Sequence, residues 1–416
     1  MQIPPKDNRR NTMNRDTFGR RELFKRAASV GAAGLGMGVA LGVNEAHAQA
    51  PEIPLAAKVP TKKLGTTGED IPILLMGGSN KFDMTFDKML HRAHKMGMYY
   101  IDGGRKYGSG AAIGVFLEQV GRDNVWLTSK SGLWGGNDPD PWERYHDDFI
   151  KELADLKTDH MDMYFLHGIK HTEVLGPDYM KMADRLKKEG KTKYFGFSCH
   201  DGNVVDLMNK AATIGGDGIN AIMFRYNFTM YGDLELNKAM DACVKAGIGL
   251  IGMKTQSSVP KDGEMVKKFQ SNTYTLHQAR LKAAWADERI TACVSGINNM
   301  KILKENSTAA RSQVELTAKE MTQLHRFAAQ TADQRCQGCS EICETCVDGN
   351  LKIADQLRYL MYDDSYGDHG QAQALYRALD ADQRDFEGVD LSAAMRACPQ
   401  GINIAERLAE AKVRLA

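Results

Sequence analysis

Between about Lys62 and Ala310 the chain alternates short apolar runs with longer amphipathic stretches, and nothing else in the sequence limits the fold so strongly. The apolar runs are Ile71–Met76, Tyr99–Asp102, Val125–Ser129, Met161–Leu166, Lys193–Ser198, Ala221–Tyr226, Ile248–Met253 and Ile290–Val294. The helical stretches between them include Phe86–Lys95, Trp142–Leu156, Tyr179–Lys188, Asn203–Thr213, Leu236–Ala246 and Leu276–Ala286. In the fourth of these, Val204, Leu207, Met208 and Ala211 fall at i, i+3, i+4 and i+7, the spacing of one helix face. Strand–helix alternation implies parallel strands joined by right-handed crossovers. Eight such units in roughly 250 residues predict a (β/α)8 TIM barrel. An open doubly wound sheet is the alternative, but no G-x-G-x-x-G phosphate loop follows the first run.

In such a barrel, chemistry collects at the C-terminal ends of the strands. The second run ends in Asp102, with Tyr107 just beyond, the third leads into Lys130, and the fourth into His167. A phenol is a poor acid at neutral pH, and a neighbouring ammonium would favour its phenolate and lower its pKa. Lys130 is the candidate cation, and Asp102 and His167 end the neighbouring runs on the same rim. Each residue alone could be structural; together, on consecutive strand ends, they suggest a proton-transfer site.

These residues bring a family into view. Asp102 through Tyr107-Gly108, Thr128-Ser129-Lys130, Asp162 through His167, Gly196 through His200, Met253-Lys254, Ser295-Gly296-Ile297 and Glu305-Asn306 resemble the signatures of the aldo/keto reductases. The resemblance covers most of residues 62–310 and implies the same barrel with NADP, or NAD, as hydride carrier. It also implies reduction of an aldehyde or ketone, or the reverse oxidation of an alcohol. The family's Asp-Tyr-Lys-His tetrad falls on Asp102, Tyr107, Lys130 and His167, which implies that Asp102 holds Lys130, His167 positions the carbonyl oxygen and Tyr107 protonates it. Nicotinamide contacts fall on Ser198, His200 and Met223, although a glutamine is common at the last position. Phosphate and adenosine contacts fall on Lys254, Gly296, Glu305 and Asn306, with Lys301 the candidate cation for a 2′-phosphate. A non-catalytic nucleotide-sensing or assembly subunit is the alternative reading.

Five of the eight cysteines lie in the last eighty or so positions, as Cys336, Cys339, Cys343, Cys346 and Cys398. From about Gln313 strand-like runs cease, and Leu351–Tyr362, Gln371–Leu379 and Ile404–Leu415 read as helices. The expected organisation is a leader over 1–48, a barrel over 60–312 and a helical, cysteine-rich extension over 330–416. The first four cysteines are spaced C-x2-C-x3-C-x2-C, and Cys398-Pro399 looks like the end of a ferredoxin motif. Some aldo/keto reductases carry a ferredoxin-like extension that this tail resembles. That implies a [4Fe–4S] cluster on Cys336, Cys339, Cys343 and Cys398, or on Cys336, Cys339, Cys343 and Cys346. Zinc, disulfides and a motif that binds nothing are the alternatives.

The N-terminus carries Arg20-Arg21-Glu22-Leu23-Phe24-Lys25, then the uncharged, Gly/Ala-rich Ala27–Val43, then Ala46-His47-Ala48. That order resembles a twin-arginine signal with an A-x-A cleavage site, so the twin-arginine export machinery is an expected partner and the periplasm an expected location. A basic, disordered terminus or a short anchor is the other reading. No stretch suggests a stable membrane span. With 54 basic and 53 acidic side chains the net charge is +1, so no basic excess points to nucleic acid. Free NADPH is not expected to be replenished outside the cytoplasm. A reductase there would carry its cofactor bound or exchange electrons with a redox partner.

Overall fold

The computed structural model describes residues 54–133, 139–200, 203–256 and 268–416. The expected leader lies outside them. The described residues belong to one compact unit. Ten strands are assigned in it: β1 Thr61–Lys63, β2 Asp70–Pro72, β3 Leu74–Gly77, β4 Tyr100–Asp102, β5 Trp126–Ser131, β6 Met161–Leu166, β7 Thr192–Cys199, β8 Ala221–Arg225, β9 Gly249–Met253 and β10 Ile290–Ser295. Strands β3 to β10 close into a barrel, each parallel to its neighbours, with β10 returning to β3. The fold is the (β/α)8 barrel that the alternation predicts.

One expected strand is two. Ile71–Met76 breaks at Ile73, because β2 pairs antiparallel with β1 while β3 enters the barrel. Ile73 bridges the change, donating its N–H to Pro60 and accepting from Cys293 N and Trp285 Nε1. The β1–β2 hairpin sends Leu64 and Ile71 into the barrel interior, where they pack with Leu75, Tyr100, Met163 and Phe165. Thr66 N bonds Gly247 O at the entrance to β9, so the hairpin covers the N-terminal end of the barrel.

The helices outside the barrel are α1 Lys88–Lys95, α2 Gly110–Val120, α3 Pro141–Asp155, α4 Pro177–Lys188, α5 Val204–Ile214, α6 Leu234–Lys245, α7 Leu276–Trp285, α8 Met300–Arg311 and α9 Ala318–Gln330. Their starts are written locally. Asp87, Asp140 and Asp233 cap α1, α3 and α6, and Thr275 and Thr317 form capping boxes on α7 and α9, each cap worth about 1 kcal/mol. Helix α2 has no sequence-derived counterpart. Its Gly114 lies so close to α3 that a Cβ there would stand 2.8 Å from Asp155 O, so the residue that weakens the helical pattern is the one the packing needs.

Beyond α9 the extension contains α10 Ser340–Cys343, α11 Ile353–Met361, a π-turn over Tyr362–Tyr366, α12 His369–Arg377, α13 Ala381–Arg384, α14 Ser392–Ala397 and α15 Ile404–Leu415. It has its own apolar clusters. One gathers Cys343, Leu351, Ile353, Leu357, Ile404 and Leu408, and another gathers Tyr359, Leu360, Tyr376 and Leu415. No helix among the described residues is long and apolar enough to cross a membrane.

Candidate active site at the barrel mouth

The register sets the site. Asp102 lies opposite Thr128, and Lys130 opposite Phe165, on neighbouring strands. Lys130 Nζ donates to Asp102 Oδ1 and to Gly103 O, both at 2.7 Å, and stands 5.0 Å from the centre of the Tyr107 ring. Asp102 and Lys130 are 3% and 2% exposed. Across the mouth, the His167 ring meets Tyr107 edge-on at 6.2 Å, and His200 follows at 5.9 Å. The structure thus brings Asp102, Tyr107, Lys130 and His167 together, as their places on consecutive strand ends imply.

Burial decides the ionisation of this group. It pulls the Lys130 ammonium toward neutrality, but Asp102 and Tyr107 together outweigh it, so the group stays a cation at all ordinary pH. The expected lowering of the Tyr107 pKa is corrected here. Burial dominates and raises it, against the opposing pull of Lys130. Lys130 therefore limits the cost of a buried phenolate without making the phenol a strong acid, which suits a group that must keep its proton until a base develops in front of it. His167 and His200 are held well below the usual imidazole value. Burial is the first cause for both, followed for His167 by Lys130, Lys106, Arg358 and Lys254. Both are neutral at pH 7.

The remaining expected contacts fall in three places. Ser198 and Met223 are buried side by side in register on β7 and β8, and Ser198 Oγ accepts from Gly168 N at 2.9 Å. Gly296 is exposed in the loop that enters α8, and Lys301 is exposed in the first turn of that helix. Asn306 is buried and bonds Ser295 and Gln256, while Glu305 accepts from Thr275 Oγ1. An exposed loop running into a helix N-terminus, with a lysine beside it, fits the phosphates of a dinucleotide. Lys254 lies elsewhere. Held at φ +55°, it turns its ammonium into the mouth and donates to the Tyr362 hydroxyl at 2.9 Å, 4.6 Å from that ring's centre.

Tyr362 belongs to the extension, which the sequence places after the barrel without saying where it rests. It rests over the mouth. On α11, Ala354, Arg358 and Met361 fall at i, i+4 and i+7 and, with Leu357, line a cavity of about 20 Å³ together with His200, Arg225 and Lys254. Tyr362 is close enough to Tyr107 to add to the cost of its phenolate. Arg225, at the end of β8, ties the two parts together by donating to His200 O and to Cys336 O. Arg225, Arg358 and Tyr362 are functional candidates that strand-end reasoning missed. Arg225 could have been found, since it closes an apolar strand with a charge; the other two depend on how the tail packs.

The other face of α11 meets the cysteines. Cys336, Cys339, Cys343 and Cys398 line one small apolar cavity with Ile353, Leu357 and Ile404. Cys346 is not among them, and its Sγ lies 3.1 Å from Ile342 O. No disulfide joins any of the eight cysteines, all of which lie among the described residues.

A family model described as "Aldo/keto reductase family" matches residues 76–329, more than half of the chain. The protein belongs to the aldo/keto reductase family. Among curated relatives, an uncharacterized oxidoreductase of Bacillus subtilis is 23% identical over 300 residues, covering 65% of this chain and 96% of its own. The NAD(P)H-dependent D-xylose reductase of Candida tenuis is 28% identical over 125 residues, 27% of this chain and 35% of its own. Among solved structures, the holo form of an aldo-keto reductase from Bacillus halodurans superposes with a TM-score of 0.51 at 20% identity, covering 65% of this chain and 96% of that one. The family match ends at residue 329, so the extension that covers the mouth lies beyond it.

Proposed function

We propose that this aldo/keto reductase interconverts a carbonyl compound and its alcohol, with Tyr107 as the proton donor. The observation that carries the reading is Lys130, buried between Asp102 and Tyr107 with neutral His167 opposite. The family normally uses NADP(H), and a nicotinamide bound at the mouth would supply or accept the hydride. The chain's own residues do the rest. His167, uncharged, donates one hydrogen bond to the carbonyl oxygen without competing as an acid. Tyr107 releases its proton to that oxygen as negative charge builds there, and Lys130 steadies the phenolate left behind. Asp102 keeps Lys130 charged and in place. Burial of Lys130 and Asp102 excludes the water that would otherwise weaken their pair. The exposed Gly296 loop and Lys301 would hold the cofactor's phosphates, with NADP ahead of NAD because of the lysine. Turnover of a panel of aldehydes and ketones by wild type and by Tyr107→Phe tests the assignment: a variant as active as wild type removes it.

The extension is read as a [4Fe–4S] module held by Cys336, Cys339, Cys343 and Cys398. The support is that these four, and not Cys346, surround a single cavity. Burial raises the Cys336 and Cys339 thiol pKa values, and Arg225, which donates to Cys336 O, opposes that rise. Anaerobic purification with iron analysis and a visible spectrum tests this, and colourless, iron-free protein would overturn it. Arg20-Arg21 and the A-x-A site support export by the twin-arginine route, which carries folded, cofactor-loaded proteins. Retention in the cytoplasm of wild type and an Arg20→Lys/Arg21→Lys variant alike would refute it.

A further inference from the structure

Tyr107 ends a short 3₁₀ turn, Arg105–Tyr107, set between Gly103-Gly104 and Gly108. Gly108, at φ +68°, turns the chain toward Ser109, whose hydroxyl donates to Gly78 O at 2.6 Å and fixes the far end. The near end is fixed to β5, where Gly103 N donates to Thr128 O at 2.8 Å. The phenol ring lies over Gly104. A Cβ there would stand 2.9 Å from Tyr107 Cε2 and 3.1 Å from Cζ, so the ring fills the space of the missing side chain. Lys130 is held from outside the barrel. Ser129 and Ser131 flank it on β5, fully buried, and donate to two carboxylates of α3, Glu152 at 2.8 Å and Asp148 at 2.9 Å. Glu152 also lies 3.6 Å from Arg105 Nη1, which pairs with Asp155 of the same helix at 2.5 Å. One helix thus holds the strand on either side of the lysine and the turn two residues before the tyrosine.

We infer that Gly104 and Arg105 are positioning residues, which set the Tyr107 hydroxyl against Lys130 and the carbonyl it protonates. The inference rests on the tetrad reading above and names what holds the donor in place. Gly104 supplies room for the ring, and Arg105 ties the turn to the helix that also pins β5 beside Lys130. The chain needs such a tie. Three glycines around a three-residue turn leave its backbone unusually free, and a displacement of about 1 Å in a reacting group can cost about 10²-fold in rate. The side chains of Arg105 and Asp155 are 31% and 51% exposed, so their pair adds little to stability. What it adds is geometry, because one guanidinium reaches two carboxylates on successive turns of one helix.

The test uses full-length protein with NADPH and the aldehyde or ketone of the panel above that wild type turns over fastest. Gly104→Ala forces the ring off its place, and Arg105→Met cuts the tie at a partly exposed position that leaves the core intact. Both are measured for kcat, KM, NADPH affinity, melting temperature and the solvent deuterium isotope effect on kcat. Each variant should lose about tenfold or more in kcat, with KM and NADPH affinity within about twofold of wild type. The isotope effect should rise as proton transfer becomes the slow step. Arg105→Met should melt within about 2 °C of wild type. Unchanged kcat in either variant would overturn the inference. So would a fall in kcat matched by lost NADPH affinity, by a lower melting temperature of Arg105→Met, or by no rise in the isotope effect. Retained turnover in Tyr107→Phe, or no turnover of any panel member by wild type, would instead refute the tetrad reading and the inference with it.

Discussion

Replacing Asp102 with Asn removes the charge that Lys130 is buried against and keeps the shape. The pair is 2.7 Å apart and almost wholly out of water. Breaking such a pair from one side costs about 3–5 kcal/mol, because an ammonium is left buried without its counter-charge. Unfolding entropy of about 2.1 cal/mol/K per residue over the roughly 360 residues of the compact unit gives about 0.8 kcal/mol/K. The melting temperature should therefore fall by about 4–6 °C at pH 7. The pH dependence identifies the cause. In wild type the folded-state pKa of Lys130 is raised, so its contribution is complete below the unfolded value near 10.5 and is lost as pH rises through the folded one. Without Asp102, burial remains as the largest influence, and the folded pKa drops below the unfolded value. The unfolded variant then binds the extra proton, so the variant regains stability as pH rises toward 10 and the gap to wild type narrows. Calorimetric melting of both proteins from pH 6 to 10 measures this. A loss below about 1 kcal/mol, or a gap that stays constant with pH, would refute the argument.

Further outcomes follow from other groups. Tyr107→Phe should melt like wild type while losing turnover by about 10²-fold or more; parallel loss of fold and activity would make Tyr107 a packing residue. Cys398→Ser should lose most of the iron and Cys346→Ser should keep it, read by iron analysis after anaerobic purification; the reverse result would move the fourth ligand to Cys346. Because burial holds His167 well below its usual pKa, kcat should stay level from pH 8 down past 6.5, and a fall centred near 6.5 would contradict a neutral, buried imidazole. Arg280 is fully buried between Phe228 and Phe327, with Nε and Nη2 unpartnered and its pKa pushed down to about 9 by burial and by Arg335. Arg280→Met should cost less than about 1 kcal/mol or stabilise, and a loss above about 3 kcal/mol in urea unfolding would show that the guanidinium holds the fold.

The barrel was legible because its strands are buried on both faces and so read as unbroken apolar runs. Met161–Leu166 keeps its expected ends, and Thr128-Ser129-Lys130 brings its lysine to the rim. What alternation cannot say is which partner a run takes, and that is why Ile71–Met76 divides between a hairpin and the barrel. Tetrad membership was legible from strand ends, but the direction of the Tyr107 shift was not, since it depends on how deeply the phenol is covered. The residues doing that covering come from a helix whose amphipathic pattern is visible at 351–362. Ala354, Arg358 and Met361 lie on one face, Ile353 on the other, and Leu357 borders both cavities. No periodicity tells a helix that one face will meet a barrel mouth and the other a set of thiols.

The β1–β2 hairpin, placed over the far end of the barrel, has a consequence for kinetics. With that end packed by Leu64 and Ile71, the tetrad is reached from the mouth, beside α11 and Tyr362. A movement of α11 that widened this approach would then act on turnover, whatever the speed of the chemistry. Contacts that steady α11, including those on its thiol side, become part of the rate law.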